Sequence, residues 1–457
     1  MNVATHLFFS TNPEKLTLYK RIIPNSEQMS FIIKKWNKLA EYLIDYLSDI
    51  SEVPIKSWLQ GSYKFGTLIR PINKDHEFDI DLGIFFSWRE HTDKVSARTV
   101  KQWVQEALLE YISHDEDIIK VTKPSKEKCA RIHYRNQFHI DVPAYLLYQE
   151  KNIRLLATES NGWEHSDPKA IYLWFKENVS TPERQQLKRI ICYLKIWSAL
   201  KFKETPSLKP TSIMLTVLAT NIYLKICDLD MPDDEAFTQV CIGISNFFSQ
   251  KKEVLNPVNI SENLNRFNEK DFEELKKAFN ELSLFASQAV KCEDIISAIV
   301  AWSKIFGHFF PTLEEDHTQQ LTEKYNFIPE ITIESKIADT NQHFKNFINE
   351  VPSIPKGMKL YFRIQNANLI PPNAKVKWSV HNCGNEAEIA NDLGHVVNSS
   401  ENLLCVEEST KYHGRHYMCC SIEHDKNIIG YRSVPVKVLA HAFPKRNPPK
   451  PAYTKLR

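Results

Sequence analysis

The 457-residue chain is 42% hydrophobic and 25% charged, which excludes collagen-like, disordered and coiled-coil readings for its bulk. Its 58 basic and 56 acidic residues leave a net charge of +2, so a site for a polyanion must be a local concentration of charge. No run approaches the roughly 18 apolar residues of a membrane span, and at roughly 100–200 residues per domain the length predicts two to four domains.

The first 25 residues carry little pattern. Asn25 then reads as the cap of a helix, with Gln28 three positions on and Phe31, Ile32, Trp36, Leu39, Leu43, Tyr46 and Leu47 at helical spacing. Strand-like runs follow at 54–60 and 78–88. A second helix starts near Ser96, with Val100, Trp103, Val104, Leu108 and Tyr111 on one face, and strands are predicted at 117–122, 129–134 and 138–142. This mixture predicts an α+β fold, a mixed sheet with helices packed on it. Asp167-Pro168 reads as an N-cap followed by proline, and Thr181-Pro182 as a repeat of that device. Helices are predicted at 211–226, 235–248, 271–290 and 293–310. After Pro352 the pattern turns to alternation at 375–380, 417–422 and 428–438, an all-β, Ig-like sandwich. The expected division is a mixed core over 1–165, a helical lobe over 166–312, a connector over 313–350, a β module over 351–441 and a basic, proline-rich tail over 442–457. Nine cysteines, an odd number with no CxxC pair, fit reduced thiols in a cytoplasm. The first residues also lack a signal peptide's basic start.

The chemistry concentrates in Gly61-Ser62 and in Phe78-Asp79-Ile80-Asp81-Leu82. Residues two apart in a strand share a face, so Asp79 and Asp81 stand side by side while Phe78, Ile80 and Leu82 enter a core. Adjacent like charges need compensation, and a divalent cation on oxygen ligands supplies it. Asp141, in Phe138-His139-Ile140-Asp141-Val142, is a third flanked acid. Three carboxylates on neighbouring strands suit two metal ions and in-line displacement at phosphorus. Gly61 lets the backbone come close to a phosphate, and Ser62 adds a hydroxyl and N–H groups for oxyanions. An isolated DxD is most often a strand with surface acids; here three pieces occur together, in order. Arg184, Lys188 and Lys195 fall on one face of the helix after Thr181, either a solvated basic stripe or a phosphate grip.

The arrangement resembles the nucleotidyltransferases of the polymerase-beta superfamily, and most the bacterial CD-NTases, the relatives of cyclic GMP-AMP synthase. The matching pieces are Gln60-Gly61-Ser62, Gly66-Thr67, Glu77-Phe78-Asp79-Ile80-Asp81 and His139-Ile140-Asp141-Val142-Pro143. Further pieces are Trp163 with Asp167-Pro168, Leu194-Lys195-Ile196-Trp197, Lys209-Pro210-Thr211-Ser212, Asn256-Pro257-Val258 and Phe306-Gly307. They span about residues 55–311. The resemblance implies a synthase of cyclic di- or trinucleotide messengers from NTPs, ATP among them, in bacterial anti-phage (CBASS) signalling. It implies that Asp79, Asp81 and Asp141 hold two Mg²⁺ ions, with Mn²⁺ as the alternative. Gly61, Ser62, Lys195 and Ser212 would hold the triphosphate, and the product would act on a separate effector. Two other readings stay open: a template-independent transferase making linear, RNA- or protein-linked products, and a catalytically silent nucleotide sensor. Activation by nucleic acid is not indicated.

The C-terminal segment Trp378-Ser379-Val380-x-Asn382-x-Gly384-Asn385-Glu386-Ala387, followed by Tyr412-x-Gly414-x-His416-Tyr417-Met418-Cys419, is similar to the AGS-C domain, a proposed sensor. That implies a regulatory ligand or protein there. His413, His416, Cys419 and Cys420 could suggest zinc, but strand alternation would split them between faces.

Overall fold

Asn25 caps the first long helix as expected. Its side chain accepts from Gln28 N, and Gln28 returns the bond to the cap's own N–H. The computed structural model describes residues 2–88, 95–151, 153–226, 228, 230–312, 327–397, 404–425 and 427–442, and falls into two units, 1–306 and 307–457.

In the first unit the elements are α1 (Thr5–Phe8), α2 (Leu18–Ile22), α3 (Ser26–Ser51), β1 (Ile55–Gln60), α4 (Gly61–Phe65), β2 (Phe78–Trp88) and α5 (Ala97–Tyr111). Six strands follow: β3 (Ile118–Val121), β4 (Ala130–Tyr134), β5 (Phe138–Val142), β6 (Ala144–Tyr148), β7 (Ile153–Thr158) and β8 (Gly162–His165). β5 and β6 form one run interrupted at Pro143, which has no N–H for the ladder. Both are parallel to β2, with Phe78 opposite Phe138 and Trp88 opposite Tyr148. β1 pairs antiparallel with β2, β4 with β5 and β7 with β6. The alternation of β2 decides what is core. Phe78, Ile80, Leu82, Ile84 and Phe86 pack with Leu39 and Leu43 of α3 and Val100, Val104 and Leu108 of α5. Asp79 and Asp81 are left on the opposite face.

The helical lobe holds α6 (Pro168–Asn178), α7 (Thr181–Lys201), α8 (Ser212–Ile226), α9 (Asp233–Gln250), a small hairpin of β9 (Leu255–Asn256) and β10 (Asn259–Asn263), α10 (Glu269–Ala289) and α11 (Ile295–Phe306). Asp167 caps α6. The cap of α7 is Ser180 rather than Thr181, because Ser180 and Glu183 form a capping box one residue earlier. The unpatterned N-terminus is folded: Phe8 is fully buried, edge-on to Tyr193 of α7 at 5.4 Å and to Trp302 of α11 at 4.7 Å.

Among the described residues the second unit is all-β apart from short helical turns. Its strands are β11 (Ile331–Ile337), β12 (His343–Ile348), β13 (Val351–Lys356), β14 (Met358–Ile364), β15 (Lys375–His381), β16 (Gly394–Val397), β17 (Cys405–Ser409), β18 (Gly414–His424) and β19 (Asn427–Ala442). They form a sheet of order β12-β11-β14-β17 and a sheet of order β13-β19-β18-β15-β16. One core joins the two, with Ile333, Leu360 and Phe362 against Trp378, Met418 and Val434. Part of the expected connector is therefore sandwich. Residues 331–348 supply two strands, and β12 escaped the pattern because five of its six residues are exposed. The rest of that stretch to 326, and the tail beyond 442, lie outside the described residues. Trp378 is core. The His413-to-Cys420 residues do not gather into a cluster of ligand atoms among the described residues. His416 Nε2 is bonded to the Tyr412 carbonyl, while the buried Cys419 thiol lies among Thr312, Tyr431 and Ser433.

Among the described residues no helix is long and apolar enough to cross a membrane.

Candidate active site

Strand register builds the site. Residues paired across parallel β2 and β5 project to the same side, and Asp79 lies opposite His139, Asp81 opposite Asp141. Ile80 and Ile140 point the other way and are fully buried. β4 adds His133 opposite His139 and Arg131 opposite Asp141. The three acids expected from the sequence therefore converge. Carboxylate oxygens of Asp79 and Asp141 and a ring nitrogen of His139 lie within 4.8 Å of one another. Asp81 is near enough to both acids to feel their charge.

Burial, then the charges of Asp79 and Asp141, push the Asp81 carboxyl up to about 7; His139 and Arg131 offset this only in part. Asp79 behaves oppositely. Desolvation works to raise it, but a 2.9 Å hydrogen bond and the charge of His139, with Arg131 and Lys126 behind, hold it below the usual range. Asp141 is clamped by Arg131, with Nη2 on Oδ2 at 2.7 Å and Nε on Oδ1. Lys126 Nζ stands 3.9 Å away. The Cys129 thiol, pushed up to about 12 by burial and then by the Asp141 charge and hydrogen bond, also points at that carboxylate. A carboxylate offers about four acceptor positions, so the guanidinium leaves lone pairs free. Three oxygen donors crowded enough to hold one proton near neutrality fit hard Mg²⁺ ions, which would bind at Asp79, Asp81 and Asp141.

Gly61 follows Gln60, which pairs with Asp81 across β1 and β2. Its φ is +60°, and a Cβ there would lie 1.9 Å from Asp81 Oδ2. Glycine is required because the chain passes directly against the half-buried acid. Ser62 sits in the first turn of α4, its side chain half-buried, and its carbonyl accepts from Thr67 N. Lys195 is buried and donates to Thr67 O and Oγ1 at 2.9 Å each. A Cβ on Gly66 would come within 3.1 Å of Lys188 Nζ. The basic face of α7 is thus packed on the Gly66-Thr67 turn instead of being solvated; Arg184 differs, bonding the carbonyls of Lys176 and Val179. Ser212 opens α8 with an exposed side chain that makes no hydrogen bond to the acids or to Lys195. Lys209, three residues earlier, interacts electrostatically with both Asp79 and Lys195.

Residues 55–145 match the family model of the cyclic GMP-AMP synthase DncV-like nucleotidyltransferase domain. Residues 312–439 match that of the adenylyl/guanylyl and SMODS C-terminal sensor domain, AGS-C. Over 441 residues the chain is 29% identical to a cyclic GMP-AMP synthase of Escherichia albertii, covering 96% of each protein. It is 25% identical over 285 residues to a c-di-GMP synthase of Roseivirga ehrenbergii, covering 56% of this chain and 74% of that one. The solved structure of the Vibrio cholerae DncV cyclic AMP-GMP synthase shares the fold, with a TM-score of 0.57 at 16% identity over 68% of this chain and 98% of that one. The chain is a bacterial CD-NTase. It is therefore a nucleotidyltransferase of the cyclic dinucleotide synthase family, and its second unit carries an AGS-C domain.

Sequence reasoning about this CD-NTase missed two features. Arg131 was passed over because its partner is ten residues away; reading β4 as a period-two strand antiparallel to β5 would have aimed it at Asp141. His139 and Glu77 were in the matched motif, yet only the register shows His139 touching Asp79.

Lys195 gives a testable pH signature. Burial brings it down from 10.5 to about 8, the charge of Lys209 adding to this while Cys192, Asp81 and Asp79 oppose it. Folding therefore carries a cost that is full below pH 8 and vanishes as pH rises toward 10.5, on the order of 3 kcal/mol before its hydrogen bonds offset it. Lys195→Met of this CD-NTase is expected to lose at least about 10²-fold in kcat/KM. Its melting temperature, measured without nucleotide, should gain on the wild type at pH 7 and lose that advantage by pH 10.5. A pH-independent difference would contradict the assignment.

Proposed function

We propose that this CD-NTase makes a cyclic di- or trinucleotide from NTPs in a Mg²⁺-dependent reaction, as a second messenger in bacterial anti-phage signalling. The observation that carries the reading is the register pairing of Asp81 with Asp141, which with Asp79 puts three carboxylates on one sheet face. Bound Mg²⁺ would neutralise charge on the phosphates and lower the pKa of an attacking hydroxyl. The chain's own residues do the positioning. Gly61 brings backbone to the acids, and Ser62, Lys188 and Lys195 line the Gly66-Thr67 turn, where they would hold the β- and γ-phosphates. Ser212, at the start of α8, would reach the same triphosphate. Asp141, oriented by Arg131, faces the attacking ribose 2′- or 3′-hydroxyl. The hydroxyl gives its proton to Asp141, a bond forms from that oxygen to the α-phosphorus, the bond to the β-phosphate oxygen breaks, and pyrophosphate leaves. Repeated transfer, one per linkage, closes the ring. The reaction would take place in a bacterial cytoplasm, the product would act on a separate effector, and the AGS-C domain would take a regulatory ligand or protein.

The test is mass spectrometry of the products from all four NTPs with Mg²⁺. A phosphatase-resistant product whose mass equals the sum of its nucleoside monophosphates less one water per linkage is expected. A product retaining a 5′-triphosphate would replace the cyclase with a linear transferase, and no turnover of any NTP would leave the silent sensor.

A further inference from the structure

We propose that Glu77, His133 and His139 form a separate cation site, for a transition metal such as Zn²⁺, beside the aspartate triad. The three side chains come from the turn before β2, from β4 and from β5, and their ligand atoms lie within 4.8 Å of one another. Glu77 Oε2 is 2.8 Å from His133 Nδ1 and 2.9 Å from His139 Nδ1. The histidine side chains are 12% and 8% exposed and the glutamate 27%, so the cluster is largely screened yet reachable from solvent.

The hydrogen-bond inventory points to a cation. A neutral imidazole has a single N–H. His139 places one ring nitrogen on Glu77 and the other on Asp79 Oδ1, at 2.9 Å each, and both partners are acceptors when ionised. A metal on the Nδ1 side resolves this without a second proton. Each imidazole then uses Nδ1 as a ligand and Nε2–H as an outward donor: His139 to Asp79, and His133 to Thr122 Oγ1 at 2.9 Å. Outer partners of this kind on ligating histidines are what fix their tautomer in metal sites. The donor sets also sort the ions. Two imidazoles and a carboxylate suit Zn²⁺ and its neighbours, with one position left open. The all-oxygen triad suits Mg²⁺. His139 links the two, so the second ion would fix the residue that steadies Asp79.

The inference does not depend on the product of the enzyme. Full-length protein, free of nucleotide and metal, is titrated with Co²⁺ while its visible d–d absorption is followed, and Zn²⁺ is then added to displace it. One strongly absorbing Co²⁺ per chain is expected, since Co²⁺ on the all-oxygen triad absorbs only weakly, with the strong bands lost on Zn²⁺ addition. Glu77→Gln and His133→Ala should weaken binding at least tenfold, whereas Asp81→Asn and Asp141→Asn should leave it intact. Glu77→Gln, near-isosteric, decides the matter if His133→Ala melts abnormally. Absence of saturable binding in the wild type would overturn the proposal. So would bands that persist in Glu77→Gln, or that vanish with Asp81→Asn alone.

Discussion

Asp81→Asn should give a protein that melts higher and makes no product. The substitution keeps shape and volume, so no cavity forms. It removes a charge that burial and two neighbouring acids make costly, as the carboxyl's rise from 3.8 to about 7 records. That cost is on the order of 2–4 kcal/mol in metal-free protein, allowing for partial solvent access. The sign follows from linkage. A folded-state pKa above the unfolded one means the folded protein holds the extra proton between pH 4 and 7, so wild-type stability falls as pH rises through that window. The variant's advantage should be absent at pH 4, complete above pH 7 and equal to several degrees in melting temperature with EDTA. Mg²⁺ with NTP should reverse the ranking, because only the wild type gains from the ion. Activity should fall on the order of 10³-fold or more. A variant that melts no higher at pH 8 in EDTA would refute the crowding of the three acids.

Gly61→Ala should be nearly as damaging, for a steric reason. The new Cβ would overlap Asp81 Oδ2 at 1.9 Å, and at φ +60° an alanine backbone is strained as well. The acid has to swing away, so kcat/KM should drop at least about 10²-fold, while stability falls by only about 1–2 kcal/mol. Gly162→Ala is the matched control: φ there is +71°, with no atom within 4 Å of the added Cβ. It should cost similar backbone strain and leave activity near wild type. If both variants keep activity, Gly61 is not tied to the acid.

What was legible in the sequence was local. Asp79 and Asp81 declared themselves because a two-residue period separates them from Phe78, Ile80 and Leu82, and Asn25 with Gln28 announced the cap of α3. β6 was missed because all five of its residues are buried, leaving no alternation to read. β12 was missed for the converse reason: an edge strand with one buried residue looks like a loop. The clamp of Arg131 on Asp141 and the contact of His139 with Asp79 are properties of strand pairing, which no single stretch of sequence encodes. The N-terminal residues lacked a period because Leu7, Phe8, Leu18 and Ile22 are buried by distant helices rather than by a repeating face of their own.

The burial of Phe8 between Tyr193 and Trp302 sets where this protein can be divided. The ring is the plug of an aromatic socket whose walls come from residues nearly two hundred and three hundred positions downstream. A fragment cut at 165 would carry the plug without its socket, and one starting at 166 the reverse. The two lobes of the first unit should therefore melt in a single transition. A tag or truncation that disturbs the first eight residues should loosen the packing of α7 on α11, two residues from Lys195.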